Sequence, residues 1–268
     1  MQSESRYDAI PDLGLLYDHV PMYVNRADVE FYVREATQTD GPILELGCGT
    51  GRILLPIART GRTIVGIDSS RQMLARCRSK LVDEPEAVQA RVMLHAADVR
   101  SFDLGTTFGL AIAPFRVVQQ LTMIEHQLQF LQTIVRHLAP SARFIFDVFN
   151  PNFSVLVAVD GSEREDTSTR PLPDGRSFRR TARLVRVRWL EQVTETELIY
   201  YVSPAAGTKP ERYVQSFDMR WYLRAELVHL LARSGFTVES IYGDFNYMPA
   251  TDGSPEQVVI ARRLLVKR

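Results

Sequence analysis

Three alternate glycines in the run from Gly47 to Gly51 are the strongest sign of chemistry in this sequence. They directly follow the apolar stretch Ile43 to Leu46, which has the character of a strand. Glycine lacks a Cβ and tolerates positive φ, so such a run turns the chain tightly into a helix and lets a ligand approach the backbone. The tight turn and the acidic Glu45 before it favour a cationic or zwitterionic ligand over a pyrophosphate. A purely structural turn is the alternative.

The spacing of the glycines separates this run from the dinucleotide fingerprint. That fingerprint is G-x-G-x-x-G, and its third glycine brings helix and strand together. Arg52 occupies the third-glycine place in this sequence. A NAD-type oxidoreductase is therefore kept only as a less favoured alternative.

Two further acids stand where strands are predicted to end. Asp68 closes the run Thr63 to Asp68, and Asp98 follows the run Arg91 to His95. The carboxyl ends of neighbouring parallel strands face one crevice, so both acids should lie beside the glycine run. Asp68 suits the two hydroxyls of a ribose, and Asp98 with the Val99 amide suits the edge of an adenine ring. Helix capping and a turn role are the structural alternatives.

The elements that must position these residues alternate between strand and helix. Strands are predicted near 43–47, 63–68, 91–95, 109–114 and 143–148, and helices near 27–37, 52–59, 70–81 and 122–138. This alternation predicts βαβ units and a parallel sheet. A helix at Tyr222 to Arg233 and a strand pair at 237–242 and 257–262 should close the domain with an antiparallel edge.

Residues 160–219 interrupt the alternation of strands and helices with strand-like runs. We therefore expect an inserted β lid over the crevice. In the predicted hairpin, Arg186 lies opposite Glu197 and Arg188 opposite Glu195, around a turn at Glu191 and Gln192. Six arginines of this segment suggest either a salt-bridged strand face or a nucleic-acid stripe, and we favour the first. They are Arg176, Arg179, Arg180, Arg183, Arg186 and Arg188.

The ordered landmarks resemble class I S-adenosylmethionine-dependent methyltransferases, whose pattern is E/D-x-G-x-G-x-G followed by acids after the second and third strands. The resemblance implies a Rossmann-like α/β fold with a mostly parallel seven-stranded sheet and an antiparallel edge strand. It implies S-adenosylmethionine as cofactor and S-adenosylhomocysteine as product. The cofactor-binding residues that it implies are Glu45, Gly47, Cys48, Gly49, Gly51, Arg52, Asp68, Ser69, Met73, Asp98, Val99, Pro114 and Phe115.

The sequence departs from that family pattern at two places. Ser141 and Ala142 replace the two glycines of the family's L-x-P-G-G-x-F turn before the fifth strand. Gly109 stands where the family usually has Asp at the head of the fourth strand, so we assign it no role. The motif D/N-P-P-Y of amino-directed nucleic-acid methyltransferases is missing after the fourth strand, which argues against base methylation.

Candidate groups around the transferred methyl come from two segments and the insertion. Tyr17, His19 and Tyr23 are candidate catalytic residues, because a phenol or an imidazole can orient or deprotonate an acceptor. Packing is the alternative for each of them. The candidate substrate residues are Arg26, Arg116, Trp189 and Tyr201.

Composition predicts a cytoplasmic enzyme without nucleic-acid or membrane partners. The 268 residues are 45% hydrophobic. Lys+Arg and Asp+Glu are both 32, so the protein has no net positive charge that would attract nucleic acid. No apolar stretch approaches the ~20 residues of a membrane span, and the polar start Met1 to Arg6 lacks a signal peptide's apolar segment. The two cysteines and five histidines have no metal-ligand spacing.

The sequence therefore predicts a methyltransferase, a monomer or homodimer, that acts on the N or O of a small-molecule acceptor, chiefly by positioning. Its predicted parts are a cofactor-binding core with N-terminal cover at 1–159, the β lid at 160–219 and closing elements at 220–268. A non-catalytic adenosylmethionine-binding or RNA-associated module is the second alternative.

Overall fold

The computed structural model describes residues 7–205 and 209–265, and the polar start Met1 to Arg6 lies outside them. The helices are α1 Leu13–Tyr17, α2 Pro21–Val24, α3 Asp28–Thr37, α4 Leu54–Arg59, α5 Arg71–Val82, α6 Glu86–Gln89, α7 Ile124–His137, α8 Phe153–Val157 and α9 Arg224–Arg233. The strands are β1 Ile43–Leu46, β2 Ile64–Asp68, β3 Val92–Ala96, β4 Phe108–Ala113, β5 Leu138–Phe149, β6 Arg164–Pro171, β7 Ser177–Arg188, β8 Val193–Ser203, β9 Glu211–Arg220, β10 Phe236–Tyr242 and β11 Glu256–Arg263.

A seven-stranded sheet of order β10-β11-β5-β4-β1-β2-β3 forms the centre of the molecule. Strands β3, β2, β1, β4 and β5 run parallel, and β11 runs antiparallel to both β5 and β10. The predicted fold class is thereby confirmed. Because β1 is central and β4 and β2 flank it, the loops after these strands meet at one edge of the sheet.

Strand alternation distributes apolar side chains to both faces of this sheet. Leu44 and Leu46 of β1 join a core that includes residues of α7 and α9. Ile43 joins a second core with α3, α4 and α5 on the opposite face. Burial on both faces explains why β1 is a continuous apolar run broken only by Glu45.

The insertion forms a separate four-stranded antiparallel sheet of order β6-β7-β8-β9. The predicted register of its β7–β8 hairpin is wrong: Arg186 lies opposite Glu195, and Arg183 lies opposite Glu197. The turn takes four residues, Trp189 to Gln192, with Gln192 at a φ of 56°. This longer turn, and a register shift between Leu184 and Arg186, displace each predicted pair.

The N-terminal segment and the inserted sheet share a third core. Leu13, Leu16 and Tyr23 pack there with Phe178 of β7 and Tyr200 of β8. The predicted N-terminal cover and lid are therefore one packed unit. We call this unit, residues 7–24 with β6 to β9, the cover.

The backbone differs at the two departures from the family pattern. Ser141 adopts a φ of 61°, in the left-handed region that a glycine would occupy without strain. At Gly109, an added Cβ would lie 1.8 Å from the Asp40 carbonyl oxygen, so no side chain fits.

Among the described residues, no helix is long and apolar enough to cross a membrane.

Candidate active site

The glycine run forms a tight turn at the carboxyl end of β1. Gly47, Gly49 and Gly51 have φ values of 68°, 54° and 81°, all in the left-handed region. The amides of Gly47 and Cys48 both donate to the Ile67 carbonyl, at 2.7 and 3.0 Å, which ties the turn to β2. All three alternate glycines are therefore required by backbone conformation.

The space around these glycines differs from one to the next. A Cβ on Gly47 or Gly51 would meet Val117 Cγ2 or Cys77 Sγ at 2.6 Å. A Cβ on Gly49 would meet only the terminal methyl of Met73, at 3.6 Å. Two glycines thus permit close packing, whereas Gly49 faces the side chain of Met73, another predicted cofactor-binding residue.

Asp68 stands beside the turn at the end of β2, as predicted. Its carboxylate accepts hydrogen bonds from the Gly49 and Ser70 amides, both at 2.8 Å. Burial raises the pKa of this carboxyl, while the two amides oppose that rise. Each oxygen keeps a second lone pair, so a ribose diol fits the same carboxylate.

Glu45 lies beneath the turn with only 2% of its surface exposed. Its Oε2 atom has no hydrogen-bond partner. Burial raises the pKa of Glu45 to about 8, and Arg52 opposes that rise. An unpartnered buried carboxyl beside the turn fits a cationic ligand, because a positive charge would stabilise its ionised form.

The other predicted cofactor residues lie within the turn or follow β2 and β3. Cys48 is buried, and Ser69 is exposed at the end of β2. Asp98 follows β3, but its carboxylate pairs with Arg100, which lowers its pKa. Asp98 lines a polar groove of about 420 Å³ with residues of α7, including Gln129 and Arg136. Adenine recognition by Asp98 and Val99 stays a prediction.

Three aromatic residues meet where the N-terminal segment approaches the loop after β4. The ring of Tyr23 lies 4.5 Å from that of Tyr17 and 4.9 Å from that of Phe115. We call Tyr17, Tyr23 and Phe115 the aromatic cluster. Phe115 and Arg116 both have positive φ, at 56° and 68°, a costly conformation for non-glycine residues that clusters at functional sites.

A buried charge network surrounds Phe115. Arg26 donates to Asp28, Asp147 and Glu256, at 2.6, 2.8 and 2.9 Å. Arg52 makes two hydrogen bonds to Asp28, at 2.5 and 2.7 Å. The Arg26 guanidinium lies 5.0 Å from the Phe115 ring centre. The guanidinium of Arg26, a candidate substrate residue, is therefore already paired with three acids of this chain, and its role toward a substrate stays a prediction.

Sequence reasoning missed Asp28, Asp147 and Glu256, the acids of this network. Asp147 accepts from Tyr32 Oη at 2.7 Å and from the Phe115 amide at 2.9 Å, and so fixes the strained loop. Its signal in the sequence was a single acid in the apolar run Arg143 to Phe149. Asp28 and Glu256 have no comparable signal.

The remaining candidate residues lie apart from the aromatic cluster or make local contacts. His19 Nδ1 lies 2.8 Å from the Leu15 carbonyl oxygen, one turn earlier. Trp189 packs against Trp221 at the hairpin turn, and Tyr201 donates to Glu163 under Arg179. Arg116 pairs with Glu256 at 3.2 Å. Their catalytic or substrate roles stay predictions.

The arginines of the insertion are paired with acids, as the favoured interpretation predicted. Arg183 pairs with Glu197 and Arg186 with Glu195, each at 2.6 Å. Arg180 is the exception to a solvated face, because its side chain is fully buried. It points between β7 and the N-terminal segment, where Asp166 and Tyr23 receive its hydrogen bonds.

The chain is similar to known methyltransferases over most of its length. Residues 43–141 match the family model described as "Methyltransferase domain". The cypemycin N-terminal methyltransferase of Streptomyces sp is 27% identical over 82% of each chain. The dTDP-3-amino-3,4,6-trideoxy-alpha-D-glucopyranose N,N-dimethyltransferase of Streptomyces venezuelae is 27% identical over 81% of this chain and 84% of its own.

Solved structures agree with this fold. The CcbJ methyltransferase from Streptomyces caelestis superposes with a TM-score of 0.77 at 22% identity, covering 99% of this chain and all 100% of its own. CalS10, an amino pentose methyltransferase from Micromonospora echinaspora solved with S-adenosylmethionine, has a TM-score of 0.62 at 26% identity, covering 88% of this chain and 89% of its own.

A glycine turn, an acid ending β2 and this sheet order define the Rossmann-like, class I methyltransferase fold. The protein is an S-adenosylmethionine-dependent methyltransferase.

Proposed function

We propose that the protein transfers the methyl group of S-adenosylmethionine to a nitrogen or oxygen of a small molecule held between the aromatic cluster and the glycine turn. The observation that carries this proposal is the placement of Tyr17, Tyr23 and Phe115 next to Arg52, which follows the glycine turn. The Arg52 guanidinium lies 5.3 Å from the Phe115 ring centre. An acceptor on the cluster would therefore lie close to the methionine end of a bound cofactor.

The residues of the turn fit the cofactor in the roles assigned to them. Asp68 binds the ribose hydroxyls, and Gly47 to Gly51 enclose the methionine portion. Glu45 stabilises the positive charge of that portion from below, through the oxygen that has no partner. Met73, Asp98 and Val99 bind the adenine.

The bound cofactor supplies a methyl carbon that is already activated by positively charged sulfur. The residues of this chain therefore need chiefly to align an acceptor with that carbon, and alignment contributes up to about 7–11 kcal/mol for well-oriented reactants. Burial raises the pKa values of Tyr17 and Tyr23, so both phenols stay neutral at physiological pH. Neutral phenols orient an acceptor by hydrogen bonds and exclude water.

An amine nitrogen is the favoured acceptor. An uncharged amine carries its own lone pair and needs no strong base, which agrees with a cluster built from neutral phenols. Of the two relatives described above, one is named as the N-terminal methyltransferase of cypemycin and the other as an N,N-dimethyltransferase of a dTDP-linked amino sugar. A small amine on a sugar or a peptide end is therefore the acceptor class that we propose.

The test is a methyl-transfer assay with S-adenosylmethionine and a panel of amino sugars, amino-sugar nucleotides, short peptides and their hydroxyl analogues, read by mass spectrometry. We expect a mass gain of one or two methyl groups on an amine. Tyr23→Ala should abolish transfer while calorimetry still detects cofactor binding. Methylation of RNA in preference to every small molecule, or cofactor binding without any transfer, would overturn the proposal.

A further inference from the structure

We infer that Arg180 of the inserted sheet is a positioning residue that sets the orientation of the Tyr23 phenol in the acceptor site. This inference rests on the proposed function and extends it, because it assigns a role in acceptor geometry to a residue of the insertion. The insertion then takes part in acceptor orientation as well as covering the site.

Arg180 of β7 donates hydrogen bonds to the N-terminal segment, to β6 and to β8, including one from Nη2 to Met22 Sδ at 3.2 Å. Its Nη1 donates to Tyr23 Oη at 2.6 Å, and the guanidinium lies 4.7 Å from the Tyr23 ring centre. Nε and Nη2 donate to the two carboxylate oxygens of Asp166, both at 2.9 Å. Nη1 also lies 3.4 Å from Tyr200 Oη.

The cost of burying this arginine argues for a role beyond packing. Its side chain is 0% exposed, and Arg180 is among the largest fully buried side chains of the described residues. Replacing a buried ion pair by apolar residues of similar volume is often neutral or stabilising, so stability alone does not require the pair. A bidentate guanidinium, by contrast, fixes the direction of its remaining donors.

The Tyr23 hydroxyl group is the group that Arg180 orients. Because Nη1 donates to the phenolic oxygen, that oxygen retains one lone pair and its own proton for other partners. The ring meets Phe115 edge-on at 4.9 Å, which fixes its plane. Arg180 therefore holds the Tyr23 hydroxyl in one direction relative to the aromatic cluster, where we propose that the acceptor binds.

The first test observes Tyr23 directly, by NMR of protein labelled at tyrosine Cζ, with Tyr23→Phe identifying its signal. We expect Arg180→Lys and Asp166→Asn to shift or broaden that signal. Arg186→Lys is the matched control, since Arg186 lies on the same strand in an exposed ion pair. A Tyr23 signal that is the same in all four proteins would overturn the inference, whatever the acceptor.

The second test is a double-mutant cycle on methyl transfer. We expect Arg180→Lys to lower kcat about tenfold to a hundredfold, as a misplacement near 1 Å does, with little change in cofactor affinity. In a Tyr23→Phe background, Arg180→Lys should change kcat by less than about twofold, because the oxygen that it orients is absent. Independent, multiplicative effects of the two substitutions would also overturn the inference.

Urea unfolding distinguishes a loss of folding from a loss of function. Urea midpoints identify any variant that fails to fold, and Asp166→Asn then replaces Arg180→Lys in the cycle, because it loosens the same guanidinium. A wild-type protein that transfers no methyl group to any acceptor would refute the proposed function. The Tyr23 signal would still decide the role of Arg180.

Discussion

At the scale of single residues, Glu45 and Asp68 are two acids beside the glycine turn whose carboxyl groups have different surroundings. Asp68 is held by two backbone amides, so its position is fixed before any ligand arrives. Glu45 has an unpartnered oxygen and a pKa raised to about 8, so it carries a proton at neutral pH until a cation enters. One acid is therefore a preorganised acceptor, and the other responds to charge.

We predict that Asp68→Ala weakens cofactor binding about tenfold to a hundredfold. Hydrogen bonds to a charged group contribute about 1.5–3 kcal/mol, and each 1.4 kcal/mol is a factor of ten in affinity. Gly49→Val should weaken binding as well, because a side chain at its φ of 54° is strained and would occupy the space proposed for the cofactor. Calorimetry with S-adenosylhomocysteine measures both effects. Asp103→Ala is the control, because that side chain is 91% exposed, and wild-type affinity in Asp68→Ala would refute the assignment.

A second prediction concerns pH and the cofactor-free protein. Because the folded-state pKa of Glu45 lies near 8 and its ordinary value is 4.5, the native state retains a proton that the unfolded state has lost between these values. The contribution of Glu45 to the free energy of unfolding should fall by up to about 1.4 kcal/mol per pH unit as pH rises through this window. Urea titrations of wild type and Glu45→Gln at pH 5 to 9 isolate this slope. Equal slopes in the two proteins would contradict it.

At the scale of elements, the sequence predicts the β strands of the core but not the register of the hairpin in the insertion. Runs such as Thr63 to Asp68 read as strands because burial on both faces requires continuous apolar residues. The hairpin register depended on a turn whose left-handed residue is Gln192, a residue type that gives no turn signal. Opposite charges still pair in the observed register, so charge alone did not distinguish the two alternatives.

The shared core of the cover predicts how the insertion responds to truncation. Phe178→Ala should lower the free energy of unfolding by about 3–5 kcal/mol, because Phe178 is buried between the N-terminal segment and the inserted sheet. Leu190→Ala at the hairpin turn should change it by less than about 0.5 kcal/mol, since Leu190 is 98% exposed. Denaturant titration compares the two variants. We also expect faster amide exchange in residues 10–23 of Phe178→Ala, and unchanged exchange there would argue against a shared core.

At the scale of the whole molecule, the cover is joined to the cofactor-binding core by polar contacts from the N-terminal segment. Asp18 accepts from Thr50 in the glycine turn at 2.6 Å, and it pairs with Arg76 and Lys80 of α5. Asp8 accepts from Ser70 at the start of α5, at 2.6 Å. The cover is thus attached to the glycine turn and to α5, next to the residues that we propose bind the cofactor.

This arrangement predicts that the cofactor stabilises the folded chain as a unit. At a concentration one hundred times its Kd, S-adenosylhomocysteine should add about 2.7 kcal/mol to the free energy of unfolding. NAD at the same concentration should add nothing, because the third-glycine place holds Arg52. Thermal unfolding measures both, and stabilisation by NAD alone would reverse the assignment.

The sequence by itself determined the class of fold and the cofactor turn. Both depend on local rules: the two-faced burial of β1, the left-handed backbone of three glycines and an acid at the end of β2. Only the tertiary structure decided the surroundings of the aromatic cluster. Asp147, Glu256 and Arg180 reach it from positions up to 230 residues from their partners. Ion pairs between distant segments leave no periodic pattern in a sequence, since each requires only one residue of each charge in the right place.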